Sequence, residues 1–133
     1  MNIFEKLSPH AHWFMRLSVA ATALYHGIEK LDVSHYLEST AACEGCLVAA
    51  DATPVMVIFV VGILESLIGI VLIVGGFGKE MLTRVSAGTI AIFCVMGVVM
   101  HGPNGFSMMD QGNEVFWMMG SISLYFLIRG NKV

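Results

Sequence analysis

Four long apolar segments follow one another along the chain, and short polar stretches separate them. Each segment approaches the roughly 20 apolar residues that a helix needs to cross the hydrocarbon core of a bilayer. The pattern therefore predicts an all-α protein, a single domain over residues 1–133 folded as a bundle of four transmembrane helices. The predicted spans cover residues 13–31, 54–76, 81–100 and 114–129, and the predicted outer loops cover residues 32–53 and 101–113.

The composition supports a membrane protein. Hydrophobic residues make up 56% of the chain and charged residues only 13%, whereas soluble domains carry about 25% charged residues. A soluble fold of this length could not cover so much apolar surface. The net charge is only −3 and the basic residues are scattered, so the sequence gives no indication of nucleic-acid binding.

The basic residues predict the direction of the helices. If four helices alternate in direction, Lys30 is the only basic residue on one side, where most acidic residues also fall. Cytoplasmic loops carry an excess of lysine and arginine, so both termini are predicted to be cytoplasmic and both long loops periplasmic, in a bacterial inner membrane. The residues on the basic side are Lys6, Arg16, Lys79, Arg84, Arg129 and Lys132.

A few ionisable residues interrupt the apolar segments. His26 and Lys30 lie four residues apart near the predicted outer surface, so they share a helix face. Glu65 lies deeper, at the middle of the second segment, where a charge costs about 2.5–3.5 kcal/mol even on insertion scales. His101 and Glu114 bound the last outer loop. If the helices turn these five residues toward one cavity, they form a candidate catalytic site for an anion, a quinone headgroup or a metal ion.

Each of these residues also has a structural explanation. Glu65 could be a protonated, hydrogen-bonded carboxyl group. Glu114 opens the fourth segment, where a carboxylate stabilises a helix N-terminus. In a shared site the polar side chains face one another, whereas in the structural explanation each side chain interacts within its own helix.

Cys43 and Cys46 form a CxxC motif in the first predicted outer loop. In an oxidising compartment such a pair forms a disulfide, and a structural clip across the loop is the simplest interpretation. A redox-active dithiol is the alternative, because a CxxC motif can lower the pKa of a thiol. A zinc site would need two further ligands, for which His35 and His101 are the candidates.

Six short motifs follow one another along the chain: Arg16-Leu17, His26-Gly27-x-x-Lys30-Leu31, Glu65 with Gly69, the basic turn from Gly78-Lys79 to Arg84, His101-x-x-Asn104-Gly105-Phe106 and Gly112-x-Glu114. This ordered set resembles the DoxX family of small four-helix membrane proteins. Namesake members are associated with thiosulfate:quinone oxidoreductase, which passes electrons from thiosulfate to the membrane quinone pool. The CxxC pair and its long loop depart from the family pattern.

The resemblance implies a quinone-linked redox component, and it leaves open whether the chain is itself an enzyme or a subunit of one. In this hypothesis the two histidines bind the quinone headgroup together with Lys30 and Glu114, Glu65 relays a proton, and the outer cysteines exchange with a sulfur species. One alternative is a non-catalytic module that anchors a partner redox enzyme in the bilayer. Another is copper handling, for which ten methionines and five histidines offer ligands. A homo-oligomer is compatible with each.

Overall fold

The computed structural model describes residues 3–41, 55–100 and 113–132. Within these ranges the chain forms helices and no strand, which confirms the predicted all-α class. The helices are α1 (Ile3–Leu31), α2 (Val33–Ala41), α3 (Val55–Gly75), α4 (Glu80–Met100) and α5 (Asn113–Arg129).

The last three helices begin and end within one residue of the predicted spans, but the first third of the chain differs. α1 begins at Ile3 rather than at residue 13, because hydropathy marks where a helix can meet lipid and not where it begins. α2 lies in the segment predicted as an outer loop. It starts directly after Asp32, whose Oδ1 accepts a hydrogen bond from the His35 backbone N–H at 3.2 Å and so caps the helix.

The helices pack as two close pairs. α1 lies along α3, α4 lies along α5, and contacts between α3 and α4 join the pairs. The buried core is small and apolar, and it includes alanines on α1 and α4. Its members are Val19, Ala20, Ala23, Leu72, Ala87, Ile90, Cys94, Met119 and Phe126.

Small residues allow α1 and α3 to touch along their backbones. A Cβ atom added to Gly27 would lie 2.7 Å from the Gly62 carbonyl oxygen, and one added to Gly69 would lie 2.9 Å from the Ala20 carbonyl oxygen. Such contacts fix the relative height of two helices in a membrane, where packing rather than hydrophobic exclusion holds helices together.

Replacing Gly27 with alanine should separate α1 from α3 and lower the free energy of unfolding by about 1–3 kcal/mol, the usual cost of overpacking. Gly120→Ala is the matched control, because a Cβ there would meet the Cys94 Cβ at an ordinary 3.4 Å. Thermal unfolding in detergent would compare the two variants. Equal stability would contradict the close contact between α1 and α3.

Among the residues that the structure describes, two helices are long and apolar enough to cross a membrane, Val55–Gly75 and the Glu80–Val99 part of α4. Only 22% of the most apolar window of α3 is buried inside the protein, and large side chains such as Met56 and Leu67 are exposed. Contiguous apolar surface of this extent marks contact with lipid or with another protein.

Candidate functional site

Lys30 and Glu65 form an ion pair between α1 and α3. The Lys30 Nζ lies 2.8 Å from the Glu65 Oε2, and the two side chains are 16% and 15% exposed. The same ammonium also donates to the His26 backbone oxygen at 3.2 Å. Each charge compensates the other. This pairing explains how a lysine and a glutamate are tolerated between apolar helices.

The pair lies well away from the start of α3. A Cβ added to Gly62 would lie 2.9 Å from the Lys30 Cβ, so the end of α1 is level with Gly62, seven residues after the start of α3 at Val55. At about 1.5 Å per residue, α1 therefore ends about 10 Å along α3 from that start. The ion pair joins the end of α1 to the middle of α3, and the depths of Lys30 and Glu65 in the membrane stay predictions.

Further titratable and aromatic groups surround the pair. The His26 Nδ1 lies 3.7 Å from the Glu29 Oε2, on the same turn of α1 as Lys30. From α2, the ring of Tyr36 lies 5.5 Å from the Lys30 Nζ, within the range of a cation–π contact. Burial raises the pKa of the Tyr36 phenol above its ordinary 10.0, with a further contribution from the charge of Glu65. The phenol is therefore protonated at neutral pH and can act as a hydrogen-bond donor.

Of the five residues of the predicted site, the structure brings three together: His26, Lys30 and Glu65. Glu114 is exposed in the first turn of α5, where its charge suits the helix N-terminus. Cys43, Cys46 and His101 lie outside the described residues, so the predicted disulfide or dithiol and the role of the second histidine stay predictions. Within the described ranges, no group of three or more His, Cys, Asp or Glu side chains is placed to hold a metal ion.

A second polar cluster, which the sequence analysis missed, lies at the opposite end of the bundle. Arg16 is completely buried. Its guanidinium donates to the Leu72 carbonyl oxygen at 2.6 Å, to the Thr83 Oγ1 at 2.9 Å and to the Asn131 Oδ1 at 2.8 Å. These four residues form the inner polar cluster, which connects α1, α3, α4 and the turn after α5.

Further hydrogen bonds and an aromatic contact hold the inner polar cluster in place. Thr83 donates to the Asn131 Oδ1 at 2.7 Å, and the Asn131 amide donates to the Gly75 carbonyl oxygen at 2.9 Å. The guanidinium carbon of Arg16 also lies 4.7 Å from the centre of the Phe126 ring. All the described acceptors of Arg16 are neutral oxygens, and one of them, the Leu72 carbonyl oxygen, lies in the last turn of α3, where the negative end of the helix dipole favours a positive charge.

Arg84 has a similar position at the end of α5. Its Nη1 donates to the carbonyl oxygens of Leu127 and Ile128 at 2.8 and 2.9 Å. In the sequence, Arg16 and Arg84 served as indicators of helix direction and as points of resemblance to the DoxX family, and neither was predicted to join helices. The signal for Arg16 was nevertheless present, because a charge inside an apolar segment needs a partner just as Glu65 does.

The apolar helices and the largely buried ion pair between them are typical of a small helical membrane protein. The sequence profile of the DoxX family matches residues 11–102, which is more than half of the chain. The chain therefore belongs to the DoxX family, and the resemblance noted from its motifs is confirmed. Neither a curated protein nor a solved structure shows significant similarity to the chain.

Proposed function

We propose that this DoxX-family protein is a quinone-linked redox component of the bacterial cytoplasmic membrane, of the thiosulfate-oxidising type. The observation that carries the proposal is the Lys30–Glu65 ion pair, held well away from the start of α3 with His26 and Tyr36 beside it. Intramembrane ionisable groups that face one another mark proton relays and ligand sites.

The proposed topology has four alternating spans with both termini in the cytoplasm. The inner polar cluster supports it, because Arg16 lies in the first half of α1 while Leu72 lies near the end of α3. Thr83 near the start of α4 and Asn131 after the end of α5 join the same cluster. The exposed residues Lys79, Arg129 and Lys132 lie at this end of the described chain, as the excess of basic residues on cytoplasmic surfaces requires.

The site has the groups that a quinone headgroup needs. Reduction of a quinone to a quinol takes up two electrons and two protons. In the proposal Lys30 and Tyr36 donate hydrogen bonds to the carbonyl oxygens, and Glu65 and His26 exchange the protons. Two thiosulfate ions release the two electrons when they couple to tetrathionate, and a partner subunit passes these electrons on. His101, Glu114 and the outer cysteines are assigned to the same outer face only as predictions.

Thiosulfate-dependent reduction of a short-chain ubiquinone by membranes that hold the protein and its natural partners tests this function. We expect Lys30→Met and Glu65→Gln to lower the turnover about 100-fold, the usual contribution of a positioned acid or base. Glu38→Gln is the control, because that exposed α2 carboxylate should leave turnover unchanged.

Two outcomes would contradict the proposal. One is quinone reduction no faster than in membranes that lack the protein. The other is full activity of the Lys30→Met variant, which would favour the alternative in which the protein only anchors a partner enzyme. Co-purification of the partner with each variant separates the two cases, because anchoring does not depend on the ion pair.

A further inference from the structure

The Lys30–Glu65 pair is covered on its outer side by the short helix α2. The end of α1 falls about 10 Å short of the level at which α3 starts. The short helix α2 fills this difference in height and contacts both helices. Tyr36 and Leu37 are half-buried on the inner face of α2, whereas Ser34, His35 and Glu38 are exposed. α2 is therefore amphipathic, with its less polar face toward the site and its polar face away from it.

We propose that α2 is a lid over the Lys30–Glu65 pair, held closed by the Tyr36 ring on the Lys30 ammonium, and that headgroups and water reach the pair when this lid opens. The inference rests on the proposed function for the identity of the headgroup, but the lid itself is defined by access to Lys30. Lys30 has two partners below, the Glu65 carboxylate and the His26 carbonyl oxygen, and the Tyr36 ring above.

The length and the few contacts of α2 suit a segment that opens and closes. The helix has nine residues, and helices below about 12–15 residues are marginal on their own in water. Its closed position depends on the Asp32 cap and on the half-buried Tyr36 and Leu37. Segments that open to admit ligands are drawn from the least stable parts of a fold. A bend at Asp32, between α1 and α2, gives the lid its hinge.

Site-resolved acetylation tests the lid on the full-length protein in lipid nanodiscs, where both membrane faces are open to the reagent. A water-soluble acetylating ester is added and the rate at each lysine is followed by mass spectrometry. Lys79 and Lys132, which are exposed at the opposite end, are the internal references. In the unaltered protein, we expect Lys30 to react about tenfold more slowly than Lys79 because it is paired and covered.

Tyr36→Ala should raise the Lys30 rate about tenfold and leave Lys79 unchanged, whereas Tyr36→Phe keeps the ring face and should stay close to the original rate. Asp32→Ala loosens the cap of α2 without touching the pair and should also raise the Lys30 rate, by about fivefold. This second route keeps the test decisive if Tyr36→Ala folds poorly. His35→Ala, on the exposed face of α2, is the control and should change nothing.

The lid is refuted if Lys30 reacts as fast as Lys79 in the unaltered protein. It is equally refuted if neither Tyr36→Ala nor Asp32→Ala changes the Lys30 rate. The assay contains no quinone and no thiosulfate, so its result stands apart from the proposed redox function. If α2 controls access to Lys30 but the protein reduces no quinone, the lid is supported and the redox function is rejected.

Discussion

Replacing Arg16 with leucine should lower the free energy of unfolding by roughly 3–5 kcal/mol, as expected when one partner leaves a buried charged network. The variant removes the guanidinium that holds the Leu72 carbonyl oxygen, Thr83 and Asn131 together. Leucine is shorter than arginine, so a gap beside Phe126 adds to the loss. Denaturant or thermal unfolding in detergent micelles measures the effect.

The control for Arg16→Leu is Arg129→Leu, which removes the same charge from an exposed position in the last turn of α5. That variant should unfold close to the native midpoint, because exposed charges contribute little. Asn131→Ala should fall between the two, since it removes one acceptor of Arg16 and the donor to Gly75. If Arg16→Leu were as stable as Arg129→Leu, the inner polar cluster would not hold the helices together.

The apolar pattern was sufficient to predict most of the helical framework. α3, α4 and α5 end where glycine, charge or the end of the apolar run interrupts the pattern, so sequence and structure agree there to one residue. The polar start of α1 and the nine-residue α2 carry no such pattern. The start of α2 is stabilised by the cap at Asp32, which hydropathy does not report.

The components of the site were predictable, but their pairing was not. Lys30 and Glu65 stand out in the sequence because ionisable residues are rare in apolar segments. Their meeting depends on how high α1 lies against α3, and the backbone contact between Gly27 and Gly62 sets that height. A glycine in a sequence does not say which helix it faces, so the sequence alone could not show that Lys30 and Glu65 meet.

Arg16 is the opposite case, because its charge is plain in the sequence but its role in joining helices is not. As an indicator of helix direction it needs only to lie near the cytoplasm. In the fold it is completely buried and connects three helices and the turn after α5. Its acceptors include a helix carbonyl and the side chain of Asn131, neither of which a search for opposite charges would find.

The Lys30–Glu65 pair should show strong coupling in a double-mutant cycle. Lys30→Met alone should cost roughly 3–5 kcal/mol, because it leaves the Glu65 carboxylate buried without its partner. The double variant Lys30→Met with Glu65→Leu removes both charges and should regain most of that loss, since an apolar pair of similar volume packs well in the same place. Unfolding of the four proteins in detergent gives the coupling.

The exposed Glu80–Arg84 pair is the matched control, because its atoms are 2.7 Å apart, almost the same distance as the 2.8 Å of the Lys30–Glu65 pair, while its side chains are 43% and 38% exposed. Water screens that pair, so its own cycle should show little coupling. A double variant of Lys30 and Glu65 as unstable as Lys30→Met alone would show that burial does not make the pair interdependent. The site would then lack the low-dielectric surroundings on which both its proton exchange and the need for a lid depend.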